Sequence, residues 1–261
     1  MNYREYPVHE HLQPFITVLW SMEGDSIGET PPLRIFPDTC VELVVHYRDP
    51  YKTTFADSSS AIQERSFVVA QMKQFMEIQA QGRTGFVAVR FSARGAYRFM
   101  NLPMKELANR ETGLREIWKN LAGELEERIS DAGTMEQRLA IVQEVLLRQL
   151  MKSEREDAAI HFCLDEIQQA KGQISMEELA FRTGLSNRQL LRRFSQTIGL
   201  SPKEFARITK FLFSLRELKR APGQSLTEIA YACGYYDQAH FIHDFREFSG
   251  QTPGEYRSPK I

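Results

Sequence analysis

Ser175-Met-Glu-Glu-Leu-Ala180, followed by Gly184-Leu-Ser186, Leu190, Phe194, Gly199 and Ser201-Pro202, is written twice in this chain. The second copy reads Ser225-Leu-Thr-Glu-Ile-Ala230, then Gly234, Asp237, Phe241, Phe245, Gly250 and Thr252-Pro253. Matching positions stand 50 residues apart up to the glycines and 51 apart beyond them, so the second copy has one more residue in its turn. Ser175 with Glu178, and Ser225 with Glu228, have the spacing of capping boxes: the hydroxyl takes an amide of the first helical turn while the carboxylate reaches back to the cap. Gly184 and Gly234 fall where the chain must leave that helix with positive φ, which glycine does without a Cβ penalty. Ser186 and Asp237 then cap a second helix, in which Leu190 with Phe194, and Phe241 with Phe245, lie one turn apart on one face. The pattern predicts two helix-turn-helix units, each burying one face of its second helix and freeing the other.

The free face of the first copy carries Arg188 and Arg192, flanked by Asn187, Gln189 and Arg193. Guanidinium groups pair bidentately with guanine in the major groove, and side-chain amides with adenine. From Arg182 to Arg220 ten Lys/Arg face two acids, Glu204 and Glu217, a local excess suited to phosphate. The base-reading candidates are therefore Asn187, Arg188 and Arg192 in the first copy, and Gln238, Ala239, His240 and His243 in the second. Gln189, Arg193, Arg246, Lys203 and Arg207 are the phosphate candidates.

Between the copies, Ser201-Pro202-Lys203-Glu204 is a helix start with a serine cap and proline at the first helical position. Phe205, Ile208, Phe211, Leu212, Leu215 and Leu218 continue at helical spacing until Ala221-Pro222-Gly223. Such a strut is roughly 28 Å long, close to the roughly 34 Å between successive major grooves on one side of DNA. The stretch Ile229-Ala-Tyr-Ala-Cys-Gly-Tyr-Tyr-Asp-Gln-Ala-His-Phe-Ile-His-Asp-Phe-Arg246, with Gly250-Gln-Thr-Pro-Gly-Glu-Tyr-Arg257, resembles the AraC/XylS type of transcription regulators. The resemblance covers roughly residues 155–258. It implies a DNA-binding domain of two helix-turn-helix units joined by a long helix, preceded by a β-domain and a helical dimerisation segment. Where family members often carry arginine in the second reading helix, this chain has His243, with Asp244 beside it as a residue that would repel the DNA backbone.

The 261 residues suit two domains, an α+β chain divided into a sensor and dimerisation part at 1–152 and the DNA-binding part at 153–261. Formal charge is −1 overall, but from Ile174 onward 13 Lys/Arg stand against 9 Asp/Glu, leaving 20 against 25 in the remainder. That asymmetry suits a regulatory half beside a half that seeks DNA. Short β-like runs occupy 1–95, at Phe15–Trp20, Leu33–Phe36, Val41–His46, Ser66–Val69 and Phe86–Phe91, and predict a small barrel or sandwich. In the helical segment 96–152, Leu114–Ile129 and Met135–Met151 are read as two antiparallel helices. Arg34-Ile-Phe-Pro-Asp38 with Glu42-Leu-Val resembles a separate, poorly described sensor-domain class of the same regulators rather than their sugar-sensing barrels. Met1–Pro7 lacks an apolar signal region and no apolar run reaches 18 residues, so a cytoplasmic protein without membrane insertion is expected.

Trp20, Phe36, Tyr47 and Phe91, with Tyr51, are candidates to line an effector pocket, the alternative being plain core. His9 and His11 with His46 or Glu42 have metal-ligand chemistry but are read as solvated, and neither metal nor cofactor is expected. Asp38 with Glu42 lacks a positioned base, nucleophile or phosphate loop, so catalysis is not expected. Cys40, Cys163 and Cys233 are scattered, unlike the clustered cysteines of an alkyl-repair enzyme built on the same DNA-binding module, the first rival reading. An effector-free architectural protein is the second. The expected partners are double-stranded DNA, a second copy of the chain, RNA polymerase and a small-molecule effector, with the operator and the sign of regulation open.

Overall fold

The computed structural model describes residues 1–25 and 30–257. Strands rich in β-branched and aromatic residues come first: β1 (Asn2–Tyr6), β2 (Ile16–Gly24), β3 (Leu33–Ile35), β4 (Val41–His46), β5 (Tyr51–Phe55), β6 (Ser60–Ile62), β7 (Ser66–Val69), β8 (Met76–Ala80), β9 (Thr84–Phe91) and β10 (Glu111–Gly113). They form two antiparallel sheets, ordered β1-β2-β9-β4-β7-β10 and β3-β8-β5-β6. Both are open among the described residues, which decides for the sandwich over the barrel.

Alternation along the central strand β9 builds three layers. Phe86 and Ala88 face one way, into a cluster with Tyr51, Phe67 and Ala80 that joins the two sheets. Val87, Val89 and Phe91 face the other way, against Leu114, Ile117, Trp118, Leu125 and Val142 of the following helices. Those helices are α1 (Met104–Leu107), α2 (Leu114–Trp118), α3 (Asn120–Asp131) and α4 (Met135–Met151). The single helix expected from Leu114 to Ile129 is in fact two, because Lys119 takes φ 55°. There Trp118 turns in to donate its Nε1 hydrogen to the Phe99 carbonyl at 2.8 Å. Thr134 and Gln137 then close a capping box that starts α4.

His46 ends β4 inside the sandwich, with its Nε2 3.0 Å from Gln63 Oε1 and its Nδ1 unpartnered. Burial pushes its pKa down to about 4 from the ordinary 6.5. The folded state therefore holds a neutral ring where the unfolded chain takes up a proton, so stability present near neutrality is lost as pH falls from 6.5 towards 4. The loss is roughly 3 kcal/mol. Glu111, bonded to Thr53 and Gln63 and raised by burial, pulls in the opposite direction. Denaturant melts at pH 7 and pH 4 should thus show a steeper loss for the parent than for His46→Leu, and equal losses would refute this account.

The second core is all-helical: α5 (Ala158–Gln169), α6 (Met176–Thr183), α7 (Asn187–Ile198), α8 (Pro202–Arg220), α9 (Leu226–Ala232), α10 (Gln238–Ser249) and α11 (Pro253–Arg257). Apolar faces of all but the short α11 meet there, with Tyr256 of α11 packed at the edge. The amino-terminal part grips this core at several points. Arg94 pairs with Asp165, and Lys73 lies 2.7 Å from Glu204. Arg34 lies over the Phe75 ring and donates to the Ser249 carbonyl. Two glycines in equivalent positions of the repeat, Gly199 (φ 96°) and Gly250 (φ 72°), end α7 and α10. The amino-terminal part fills the space a Cβ would take at both, with the Met104 carbonyl at the first and the Phe75 ring at the second.

Candidate nucleic-acid interface

Each helix-turn-helix follows from its caps and its turn. Ser225 and Glu228 form the full capping box of α9, whereas Ser175 caps α6 alone. The box expected there is half made, because the Glu178 carboxylate turns to Arg182 at 2.5 Å. Gly184 (φ 66°) and Gly234 (φ 72°) make the left-handed turns. Ser186, boxed with Gln189, and Asp237, accepting the His240 amide at 2.7 Å, then start α7 and α10. Leu190, Phe194, Phe241 and Phe245 are all wholly buried. Their burial fixes which face of each second helix looks outward.

On the outward face of α7, Asn187, Arg188, Gln189 and Arg192 are exposed. Arg188 and Arg192 make no side-chain bond to any described residue, so both forks are free. On α10, Ala239, His240, His243 and Arg246 are exposed. Gln238 is half-buried, its Oε1 accepting the Thr227 hydroxyl at 2.6 Å. Gln189 gives its Oε1 to the Ser186 cap, which leaves its amide nitrogen outward.

Much of the basic excess read from the sequence is neutralised within the molecule. Arg193, expected on phosphate, is held bidentately by Asp157 at 2.8 and 2.5 Å, the residue that caps α5. Arg207, also expected there, lies 2.7 Å from both Asp244 and Glu247. Burial works against the Arg207 charge, but these bonds outweigh it and raise its pKa. Lys210 donates to the Gly234 carbonyl at 3.1 Å, with burial lowering its pKa. Asp244, expected to stand against the DNA backbone, instead points inward with 4% of its side chain exposed. Sequence spacing cannot show this, since the partner Arg207 is on another helix. Lys203 and Arg246 remain exposed without an internal partner among the described residues.

Between the two units a cleft of about 670 Å³ opens, floored by Leu179, Pro202 and Ala206 and edged by Lys203, His240 and His243. The amino-terminal aromatics, by contrast, do not converge. Trp20 lies between Tyr3 and Phe86, and Phe91 is wholly buried against Phe99. Phe36 packs across the domain junction against Phe211 and Tyr256. Tyr47 alone borders a separate cavity. His9 and His11 stand exposed beside each other while His46 is buried in the sandwich, so the three do not form one ligand set. The His243, Asp244 and Glu247 donor atoms do lie within 4.8 Å of one another, but Arg207 already engages both carboxylates.

Residues 179–258 match the family described as a helix-turn-helix domain, and residues 4–113 one described as a domain of unknown function, DUF6597. The carboxy-terminal part is an AraC-type helix-turn-helix domain. Over 84 residues the chain is 38% identical to the transcriptional activator RhaS of Escherichia fergusonii, a match covering 32% of this chain and 30% of that protein. It is 26% identical over 114 residues to the transcriptional regulator MtrA of Neisseria gonorrhoeae, covering 44% and 38%. The chain thus spans about a third of the length of these relatives. Over 98% of both chains it superposes on ToxT from Vibrio cholerae with a TM-score of 0.49 at 12% identity. No described helix is long and apolar enough to cross a membrane.

Proposed function

We propose that this protein is a sequence-specific DNA-binding transcription regulator that places α7 and α10 in successive major grooves of one DNA face. The observation that carries the reading is the pair of unpartnered guanidinium forks, Arg188 and Arg192, on the outward face of a helix whose inner face is locked by Leu190 and Phe194. Free forks on a rigid helix are what bidentate recognition of guanine needs. In the second unit Ala239 and His243 take the places equivalent to Arg188 and Arg192, with His240 beside them and Gln238 at the helix start. Lys203 and Arg246 supply phosphate contacts, and Asn187 and Gln189 add amide donors. Arg193 and Arg207 act instead as internal ties that hold α7 to α5 and α8 to α10. Burial pushes the Cys40 thiol up to about 12 and the Cys163 and Cys233 thiols up to about 11. Protonated, separated thiols do not suit the alkyl-transfer alternative. Dimerisation through α3 and α4, response to an effector, contact with RNA polymerase and a cytoplasmic location belong to the same reading.

Selection of bound sequences from a random DNA pool with the full chain tests it. The expected product is a motif of two blocks with centres about 10–10.5 base pairs apart. A pool that is not enriched, or a single block, would overturn the proposal. The fragment 153–261 should fold and bind the same two blocks as a monomer, because both reading helices share one strut. It should melt below the full chain, since it lacks Phe36 over Phe211 and the Lys73–Glu204 and Arg94–Asp165 pairs. Sedimentation and circular dichroism of the fragment check both points.

A further inference from the structure

The six-stranded sheet carries a cavity of about 320 Å³ where β1 and β2 meet the start of α4. Alternation selects its lining. Arg4 and its cross-strand partner Ser21 share one face of the sheet, while the Tyr3 and Trp20 rings meet at a tilt on the other. Tyr47 forms one wall, its ring 4.1 Å under the Arg138 guanidinium and 5.9 Å from that of Arg48. Among the described residues three arginines, Arg4, Arg48 and Arg138, therefore line the cavity with one carboxylate, Glu23. Glu23 is itself committed: it accepts the Tyr47 hydroxyl at 2.8 Å and lies 3.7 Å from Arg48, which also reaches Asp25.

Two positive groups are left over. Arg138 is bonded only to the Ile129 carbonyl, at 3.2 Å, and has no carboxylate among the described residues. Among the described residues Arg4 makes no side-chain hydrogen bond or salt bridge, and it acts on the exposed Glu136 through the field of its charge. Guanidinium forks left without anions beside a hydroxyl-lined hollow are unsatisfied donors, and planar or tetrahedral oxyanions match their geometry.

We propose that this cavity binds a small dianion, a dicarboxylate or a phosphate ester, with Arg4 and Arg138 as its two anchors and Tyr47 as the wall. The volume lies at the lower end of ordinary ligand sites. Such a ligand ties the β1–β2 edge to the first turn of α4, and so joins the sheet to the helical hairpin. Its role as an effector rests on the regulator reading above; its binding does not.

The test is calorimetric titration of the full chain without DNA, so that failure here is separate from failure to read DNA. The probes are succinate, glycerol 3-phosphate and uncharged glycerol, at ionic strength matched with sodium chloride. Saturable binding of succinate or glycerol 3-phosphate is expected, with none for glycerol, and whichever binds more tightly identifies the acidic group. Arg4→Gln should leave the ligand-free melting temperature unchanged, because Arg4 is exposed and unbonded. In it or in Arg138→Gln the dissociation constant should rise about tenfold or more. Absence of saturable binding by both dianions, binding of glycerol equal to theirs, or a smaller rise in both variants overturns the proposal.

Discussion

Arg192→Ala should lose roughly 1–3 kcal/mol of discrimination at one base pair of the site, a factor of about 5 to 150. The loss should be confined to one block of the motif, since Arg192 sits on α7 alone. The effect is large because no described residue competes for this side chain, whereas Arg193 next to it is already held by Asp157. Arg193→Ala is thus expected to weaken binding to all sequences alike, by loosening α7 from the cap of α5, and to lower the melting temperature. Lys203→Ala should also act uniformly and should reduce the salt dependence by about one phosphate contact. Affinities for a set of single base-pair substitutions separate these outcomes. Should Arg192→Ala weaken every sequence equally while Arg193→Ala relaxes one position, the assignment of readers and ties is reversed.

The difference between Arg192 and Arg193 marks where the sequence stops being sufficient. Caps, glycine turns and the spacing of Leu190 with Phe194 act within one or two helical turns, so α6 to α10 were legible to within a residue or two at their ends. The two copies share these signals position by position. Ion pairs such as Arg207 with Asp244 join residues 37 apart, and no local pattern announces them. In the sheets, Val41–His46 and Ser66–Val69 were legible because they are mostly buried and rich in valine. The strands β1, β5, β6, β8 and β10 were not: Asn2–Tyr6 is almost wholly exposed, and Ser60–Ile62 and Glu111–Gly113 are three-residue edge strands stabilised by their pairing with β5 and β7. Helix α5 is not announced by the repeat, because its apolar residues Ile160, Cys163, Leu164 and Ile167 lie before the first copy. Phe36 was misplaced for a related reason. An aromatic residue in a β-rich segment is read into that segment's core, and only the packing of the two parts reveals that it belongs to the other one.

That packing underlies the largest expected loss of stability. Phe211 lies mid-way along α8, wholly buried, with ring centroids of Phe36 at 6.0 Å and of Phe245 and Phe248 at 5.2 Å. It is where the strut, helix α10 and the amino-terminal part converge. Phe211→Ala removes a whole ring from a site closed on three sides, where the surroundings cannot collapse, so a cost of about 3–5 kcal/mol is expected. Against a total of about 5–15 kcal/mol this is a large share, and the melting temperature should fall on the order of 10 °C. Phe36→Ala opens the same site from its half-buried rim and should cost less than half as much. Because Phe36 is the amino-terminal part's contribution to this cluster, its loss should also split a single melting transition into two, with the AraC-type domain melting first. If Phe211→Ala costs under about 1.5 kcal/mol in denaturant titrations while Phe36→Ala costs more, stability resides in the junction between the parts rather than in the aromatic cluster of the strut.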